Sequence, residues 1–343
     1  MSAAREIVEQ LAARTEAFCR AWFPNGRRVG NYWKMGDTTG AAGRSLAIRL
    51  RPAGGRAAGR WSDYATDEFG DLIDLIEMHK NCSKREAFNE ARRFLGRPDP
   101  EPDRPSMLDG VVSGRSSDKT EAGRRLFSIG RPVGKTPAER YLRGRNISRF
   151  GSALAYHSRV YFRDADDQTR QLPALLAAIT DNDGAITGCA RTFLDVRNDA
   201  LAPIEEPKRV LGRLYGNAIR FAGRPGSEDL VAGEGLETVL SVGSAFPLLS
   251  LAACLTANHL GLFDPPPQIR RLWIARDNGT AGENAAARLR ARVEPMGMTV
   301  YELAPERDDF NSDLQEDGLM ALRVRLTAAM RDCGIDPPEV LQR

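Results

Sequence analysis

Two short segments place carboxylates where they could work on phosphates or hold a metal ion. Leu230-Val-Ala-Gly-Glu234-Gly-Leu-Glu-Thr238 is one, and Leu272-Trp-Ile-Ala-Arg-Asp277-Asn-Gly-Thr-Ala-Gly282 is the other. Each is an apolar run that ends in an acid near glycine and then passes into helix-like sequence. In an α/β fold that order sets Glu234 and Asp277 at the carboxyl edge of a parallel sheet, where ligands bind. Two acids converging there suit Mg²⁺, which takes one or two carboxylates together with waters and substrate phosphates. Either acid alone reads as a solvated strand end; the repeated pattern is more specific. Gly235 and Gly282 allow close backbone approach at the helix starts, and helix N-termini favour phosphate.

The elements that must carry these acids follow from the spacing of apolar residues. From about 228 to 323, strand-like and helix-like runs alternate: 229–233, 236–244, 247–253, 256–262, 270–276, 283–295 and 298–303. That alternation calls for a parallel sheet with right-handed crossovers. Upstream, Thr136-Pro137-Ala-Glu139 is a capping box that starts a helix. Strand-like runs follow at 172–179, 185–194 and 209–214. The segment Gly130–Thr136 is one residue short of a phosphate-binding loop between its glycines, so it does not support an ATP-driven motor. At the N-terminus, Ile7, Leu11, Ala12, Phe18 and Trp22 share a helical face over residues 1–23. A small β-unit over 29–64 and helices from about 71 to 95 complete that region. Residues 97–119 are rich in Pro, Ser and charge and read as a linker. The expected division is therefore 1–96, 97–119, 120–224, 225–325 and a tail at 326–343.

Bulk properties narrow the class. The chain has 343 residues, a net charge of +3 and 42% apolar content, ordinary for a globular protein. No apolar run approaches a membrane span and no signal-peptide core opens the sequence, so a cytoplasmic protein without membrane partners is expected. Five scattered cysteines without a Cys-x-x-Cys pair argue against zinc and against a disulfide framework. Charge distribution says more than the total. Thr38–Ser62 has no acid but contains Arg44, Arg49, Arg51, Arg56 and Arg60, with Tyr32, Trp33, Trp61 and Tyr64 close by. Arginines interleaved with aromatics suit single-stranded nucleic acid; the same rings would equally serve as the core of a small domain.

The paired acidic segments resemble the Toprim domain shared by DnaG-type primases, type IA and II topoisomerases and some nucleases. The resemblance implies that Glu234 serves in general acid/base work and that Asp277 is the first aspartate of an Asp-x-Asp pair binding Mg²⁺ or Mn²⁺. The second aspartate would fall on Gly279. Asp308-Asp309-Phe310-Asn311 is similar to an acidic-Phe-Asn segment of plasmid and phage Toprim proteins, which makes Asp309 or Asp308 a replacement ligand. Leu172–Leu194, with Arg191, and Pro207-Lys208-Arg209-Val-Leu-Gly212 resemble the basic subdomain of a primase core. Arg191, Lys208 and Arg209 would then hold phosphates opposite the acids. The N-terminal region resembles a primase zinc ribbon in outline without its cysteines, with Arg49, Arg51, Arg60 and Trp61 gripping template. The fold expected is a Rossmann-like Toprim sheet following an α+β primase-core-like subdomain and a small α+β N-terminal domain. The function implied is a Toprim-type DNA primase, or primase-like replication protein of a mobile element. It would make short primers on single-stranded DNA from nucleoside triphosphates beside a separate replicative helicase. The alternative is a catalytically degenerate DNA-binding accessory protein in plasmid or phage replication or mobilisation; a Toprim nuclease is the weaker third reading.

Overall fold

Val, Leu, Ile and Trp crowd the runs before Glu234 and Asp277, and runs this short and this apolar suit strands covered on both faces. Both are strands in the computed structural model of the chain, which describes residues 3–53, 57–63, 68–80, 82, 84–97, 113–163, 168–204 and 206–336. The chain divides into two units, Met1–Gly114 and Arg115–Arg343. Of the linker expected at 97–119, residues 98–112 lie outside the described residues.

In the first unit, helices α1 (Ala3–Ala13) and α2 (Thr15–Trp22) precede five strands. These are β1 (Arg27–Val29), β2 (Tyr32–Met35), β3 (Leu46–Arg49), β4 (Trp61–Asp63) and β5 (Phe69–Gly70), antiparallel and paired in sequence order. Helices α3 (Leu72–Lys80) and α4 (Lys84–Phe94) follow. Trp33, Ile48 and Trp61 stand opposite one another across β2, β3 and β4, and pack with Leu11, Phe18, Phe23, Leu75 and Ile76 as one core. The single helix expected over 1–23 is broken at Arg14, whose backbone is non-helical. There the Thr15 hydroxyl donates back to the Ala12 carbonyl at 2.6 Å, a side-chain bond that competes with the helical ladder.

The second unit opens with α5 (Ser113–Ser128), β6 (Arg131–Pro132) and α6 (Pro137–Gly144). Then come β7 (Leu154–Arg163), β8 (Thr169–Thr180), β9 (Ile186–Asp195), β10 (Ala200–Leu201), β11 (Lys208–Gly212) and β12 (Ala218–Phe221). The expected alternation follows: β13 (Asp229–Gly233), α7 (Leu236–Ala245), β14 (Ser250–Ala253), α8 (Ala257–Gly261), β15 (Arg271–Ala275), α9 (Thr280–Val293), β16 (Thr299–Leu303) and α10 (Phe310–Asp332). Strands β14, β13, β15 and β16 are parallel neighbours. Strand β12 is antiparallel both to β14 and to β8, so the two halves of this unit share one sheet. Strand β7 is absent from the sequence reading because a register shift between His157 and Val160 breaks its period-2 pattern. Helix α10 runs to Asp332, past the boundary expected at 325.

Alternation along the parallel strands fills both faces. Val231, Trp273 and Ala275 pack with Leu236, Val239, Leu240 and Phe310 of α7 and α10. Leu230, Ala232, Leu272 and Ile274 pack with Leu260, Ala286 and Leu289 of α8 and α9. This layered packing fixes the strand ends that carry the acids. Among the described residues no helix is long and apolar enough to cross a membrane.

Candidate active site

Glu234 leaves β13 half-buried, and its carbonyl accepts the Leu255 N–H at 2.7 Å, which ties the loop to the end of β14. Gly235 caps α7, and a Cβ there would stand 2.9 Å from the Thr238 hydroxyl. That hydroxyl donates to Asp277 Oδ1 at 3.1 Å, joining the two acidic segments. Behind Asp277, a Cβ on Gly282 would lie 2.2 Å from the Asp277 carbonyl oxygen, so α9 can start there only with glycine. Gly282 is thus required for close backbone approach, while a side chain at Gly235 would push the Thr238 hydroxyl off Asp277.

Burial pushes the Asp277 carboxyl up to about 6; the nearby Asp309 and Glu237 charges add to the rise, while the Thr238 hydroxyl and Lys208 ammonium oppose it. Asp309 caps α10, its Oδ1 accepting the Ser312 N–H at 2.6 Å. Asp308 is exposed and contributes its carbonyl, which accepts the Asn278 N–H at 2.8 Å. Asn278 also donates its side-chain amide to the Pro305 carbonyl at 3.0 Å and to that of Arg307. The loops after β15 and β16 are thereby laced together, and Asp309 comes into electrostatic reach of Asp277.

Gly279 has φ 110° and ψ 165°, a backbone region essentially reserved for glycine, although a Cβ would meet nothing within 4 Å. There is room for an aspartate at this position but no relaxed backbone for one. Among the described residues no group of three His, Cys, Asp or Glu side chains is gathered as a metal site. Asp277 and Asp309 are two hard oxygen donors close enough for one charge to raise the other, which fits a cation bound by two carboxylates and water.

Residues 229–319 match the family model of the Toprim domain. This chain carries a Toprim domain. Residues 117–221, immediately before it, match a domain of unknown function (DUF7146). No curated protein matches the chain. Among solved structures, it is similar to the zinc-binding and RNA polymerase domains of the Aquifex aeolicus primase (15% identity, 96% of this chain and 86% of that one, TM-score 0.43). It is also similar to a DNA primase domain from Pseudomonas aeruginosa (16% identity, 61% and 78%, TM-score 0.42). The primase fragment of the bacteriophage T7 primase-helicase protein is another (9%, 85% and 99%, TM-score 0.33).

Facing the Toprim acids, Lys208 of β11 pairs with Glu237 of α7, Nζ to Oε2 at 2.8 Å. The Tyr141 hydroxyl of α6 donates to the other oxygen of Glu237 at 2.7 Å. Burial alone would raise Glu237, yet the Lys208 ammonium and Tyr141 hydroxyl bring its carboxyl down to about 2. Beside them, Arg145 stacks over the Tyr141 ring at 4.9 Å and donates to Asn311 Oδ1 at 3.1 Å. Arg191 and Arg209 do not join Lys208. Strand residues alternate between faces, and Arg209 sits over Phe162 at 5.2 Å while Arg191 lies directly across from it on β9. Both belong to the face opposite the Toprim acids.

Sequence reasoning passed over Glu237, Tyr141, Arg145, Asn278 and Asp313. Asp313 is fully buried, accepts the Glu306 and Arg307 N–H groups at 2.9 and 3.0 Å, and pairs with Arg325 at 3.0 Å, fixing the loop before Asp309. The nearest signal was the Asp-Phe-Asn run itself, whose Asn311 is buried, as is Asp313 two residues on.

In the first unit, Arg51 and Arg60 are exposed and Arg49 lies over Tyr32 at 5.7 Å. Trp61 is 3% exposed, and its indole N–H is donated to the Asp71 carbonyl at 2.8 Å. It is a core residue with no face left for a base, a correction that follows from strand alternation in β4. Arg56 and Tyr64 lie outside the described residues.

Proposed function

We propose that this chain is a primase-like nucleotidyltransferase that joins nucleoside triphosphates on single-stranded DNA. The observation that carries the reading is the Thr238–Asp277 hydrogen bond that joins the two acidic segments, with Lys208 of the preceding domain ion-paired to Glu237 beside Thr238. A divalent cation held by Asp277 and Asp309, Mg²⁺ or Mn²⁺, supplies charge neutralisation for the attacking 3′-hydroxyl and the leaving pyrophosphate when bound. Glu234, half-buried at the end of β13, accepts the proton of that hydroxyl. Lys208 and Arg145 bind the triphosphate, Lys208 as a point charge and Arg145 through its planar fork. Arg49, Arg51 and Arg60 of the first unit track the template backbone. Residues 1–96, 120–224 and 225–325 are the template-gripping, basic and Toprim parts of such an enzyme. A separate helicase, a cytoplasmic setting and a mobile-element origin complete the proposal.

The test is direct. Protein incubated with single-stranded template, labelled nucleoside triphosphates and Mg²⁺ or Mn²⁺ should yield short oligomers. Asp277→Asn should lower that yield by about 100-fold or more, the scale of one electrostatic contact to reacting charge. Full activity in that variant rules out the site. A second reading, a catalytically degenerate DNA-binding accessory protein, is favoured by the glycine-only backbone at Gly279. Under that reading single-stranded DNA is bound and no oligomer forms with either metal.

A further inference from the structure

Glu237 is out of place as a stabilising residue. It is 5% exposed, at the second position of α7, between Leu236 and the buried Thr238 and Val239. Removing a carboxylate from water is expensive, and replacing a buried ion pair by apolar side chains of similar volume is often neutral or stabilising. The cost is explained if the pair orders something outside the core. Its partner Lys208 has a side chain that is half-exposed, so the ammonium stands at the surface end of the pair while the carboxylate is anchored inside. Each carboxylate oxygen has its own partner, Lys208 on Oε2 and the Tyr141 hydroxyl on Oε1. The carboxylate plane is therefore held from two elements, α6 and β11, at once. An ammonium has three donors, and Glu237 takes one of them.

We propose that Glu237, braced by Tyr141, is a positioning residue that fixes the Lys208 ammonium beside Asp277 so that its remaining donors meet an incoming polyphosphate. A lysine is a flexible four-carbon stem with a strongly hydrated head. Holding it in the bound conformation beforehand removes the ordering cost at the moment of binding. The inference rests on the nucleotidyltransferase reading for the identity of the ligand. It does not rest on that reading for the pinning of Lys208.

The experiment is a double-mutant cycle on affinity for a non-hydrolysable nucleoside triphosphate, measured by calorimetry with the full chain and no template. Glu237→Gln should weaken binding about tenfold, the size of one charge-assisted hydrogen bond. Lys208→Met should weaken it at least as much, and the double variant no further than Lys208→Met alone. Multiplying effects in the double variant, or wild-type affinity in folded Glu237→Gln, overturns the proposal. A second readout needs no ligand. The chain has six lysines, so the side-chain ¹⁵N resonance of Lys208 can be identified by its loss in Lys208→Met. Glu237→Gln should move that resonance toward the position of a free lysine, and Tyr141→Phe should move it less. An unmoved resonance in both variants overturns the positioning role, and the Tyr141→Phe resonance alone decides the matter if Glu237→Gln fails to fold. If the wild type binds no nucleoside triphosphate while the resonance moves as expected, the nucleotidyltransferase reading falls and the pinning of Lys208 stands.

Discussion

In the Toprim domain the acids Glu234, Asp277 and Asp309 stand on loops just beyond strand ends, whereas Arg191, Lys208 and Arg209 of residues 117–221 stand within strands. The difference governs what a cluster of charges means. At a strand end, neighbours such as Asp308 and Asp309 are separated by loop geometry, and capping selects Asp309 for α10. Inside a strand, parity decides: Lys208 faces the acids, and Arg209, its immediate neighbour, faces Phe162. The same rule operates in the first unit, where Trp61 turns inward and so cannot serve as a stacking platform. Within a strand, charges adjacent in sequence point to opposite faces and do not converge.

The comparison can be broken at several points, beginning with the largest effect. Trp61→Ala should cost about 3–5 kcal/mol, as for large core aromatics, seen as a lowered urea midpoint for the first unit. A stable variant with impaired single-stranded DNA binding would instead restore Trp61 to the surface. At the loop, Gly279→Asp should lose about 1–3 kcal/mol through its left-handed backbone without gaining activity. A more active Gly279→Asp variant would show that the missing aspartate, and not the backbone, is what the site lacks. Within β11, Lys208→Ala should weaken nucleotide binding about tenfold. Arg209→Ala, on the other face and half-buried over Phe162, should change it by no more than about fivefold, the scale of a surface ion pair. Equal losses in titrations of the two would end the parity argument.

Acid acts on the same ion pair. Glu237 ionises at about 2 in the folded chain against 4.5 as its ordinary value. A depressed folded value contributes stability that is complete above about 4.5 and is lost as pH falls toward about 2. Urea midpoints measured at pH 5 and pH 3 should therefore fall further in the wild type than in Glu237→Gln. The reverse order would show that the carboxylate is not ionised inside the fold.

How much of this was legible follows from the same distinction. Glu234, Asp277 and their glycines are punctuation between a buried strand and a helix, and such breaks are visible in a single sequence. Glu237 was invisible because an acid in the first turn of a helix looks like an ordinary complement to the helix dipole. Tyr141 and Arg145 look like exposed helix positions until α6 is placed beside α7. Gly279 reads as a missing acid, while its positive φ is a property of the folded loop. The union of the two halves in one sheet rested on β12, four residues long and antiparallel on both sides. No periodicity test resolves so short a strand.

That short strand has a consequence for modularity. Strand β12 covers the flank of β14, which would otherwise present a row of unpaired backbone groups, the usual template for edge-to-edge association. A Toprim domain cut away at residue 225 would carry that raw edge and should self-associate. The basic half is therefore also the solubilising cover of the acidic half. The two cannot swing apart on a hinge without unzipping paired strands, so the basic and acidic side chains are held at a fixed separation.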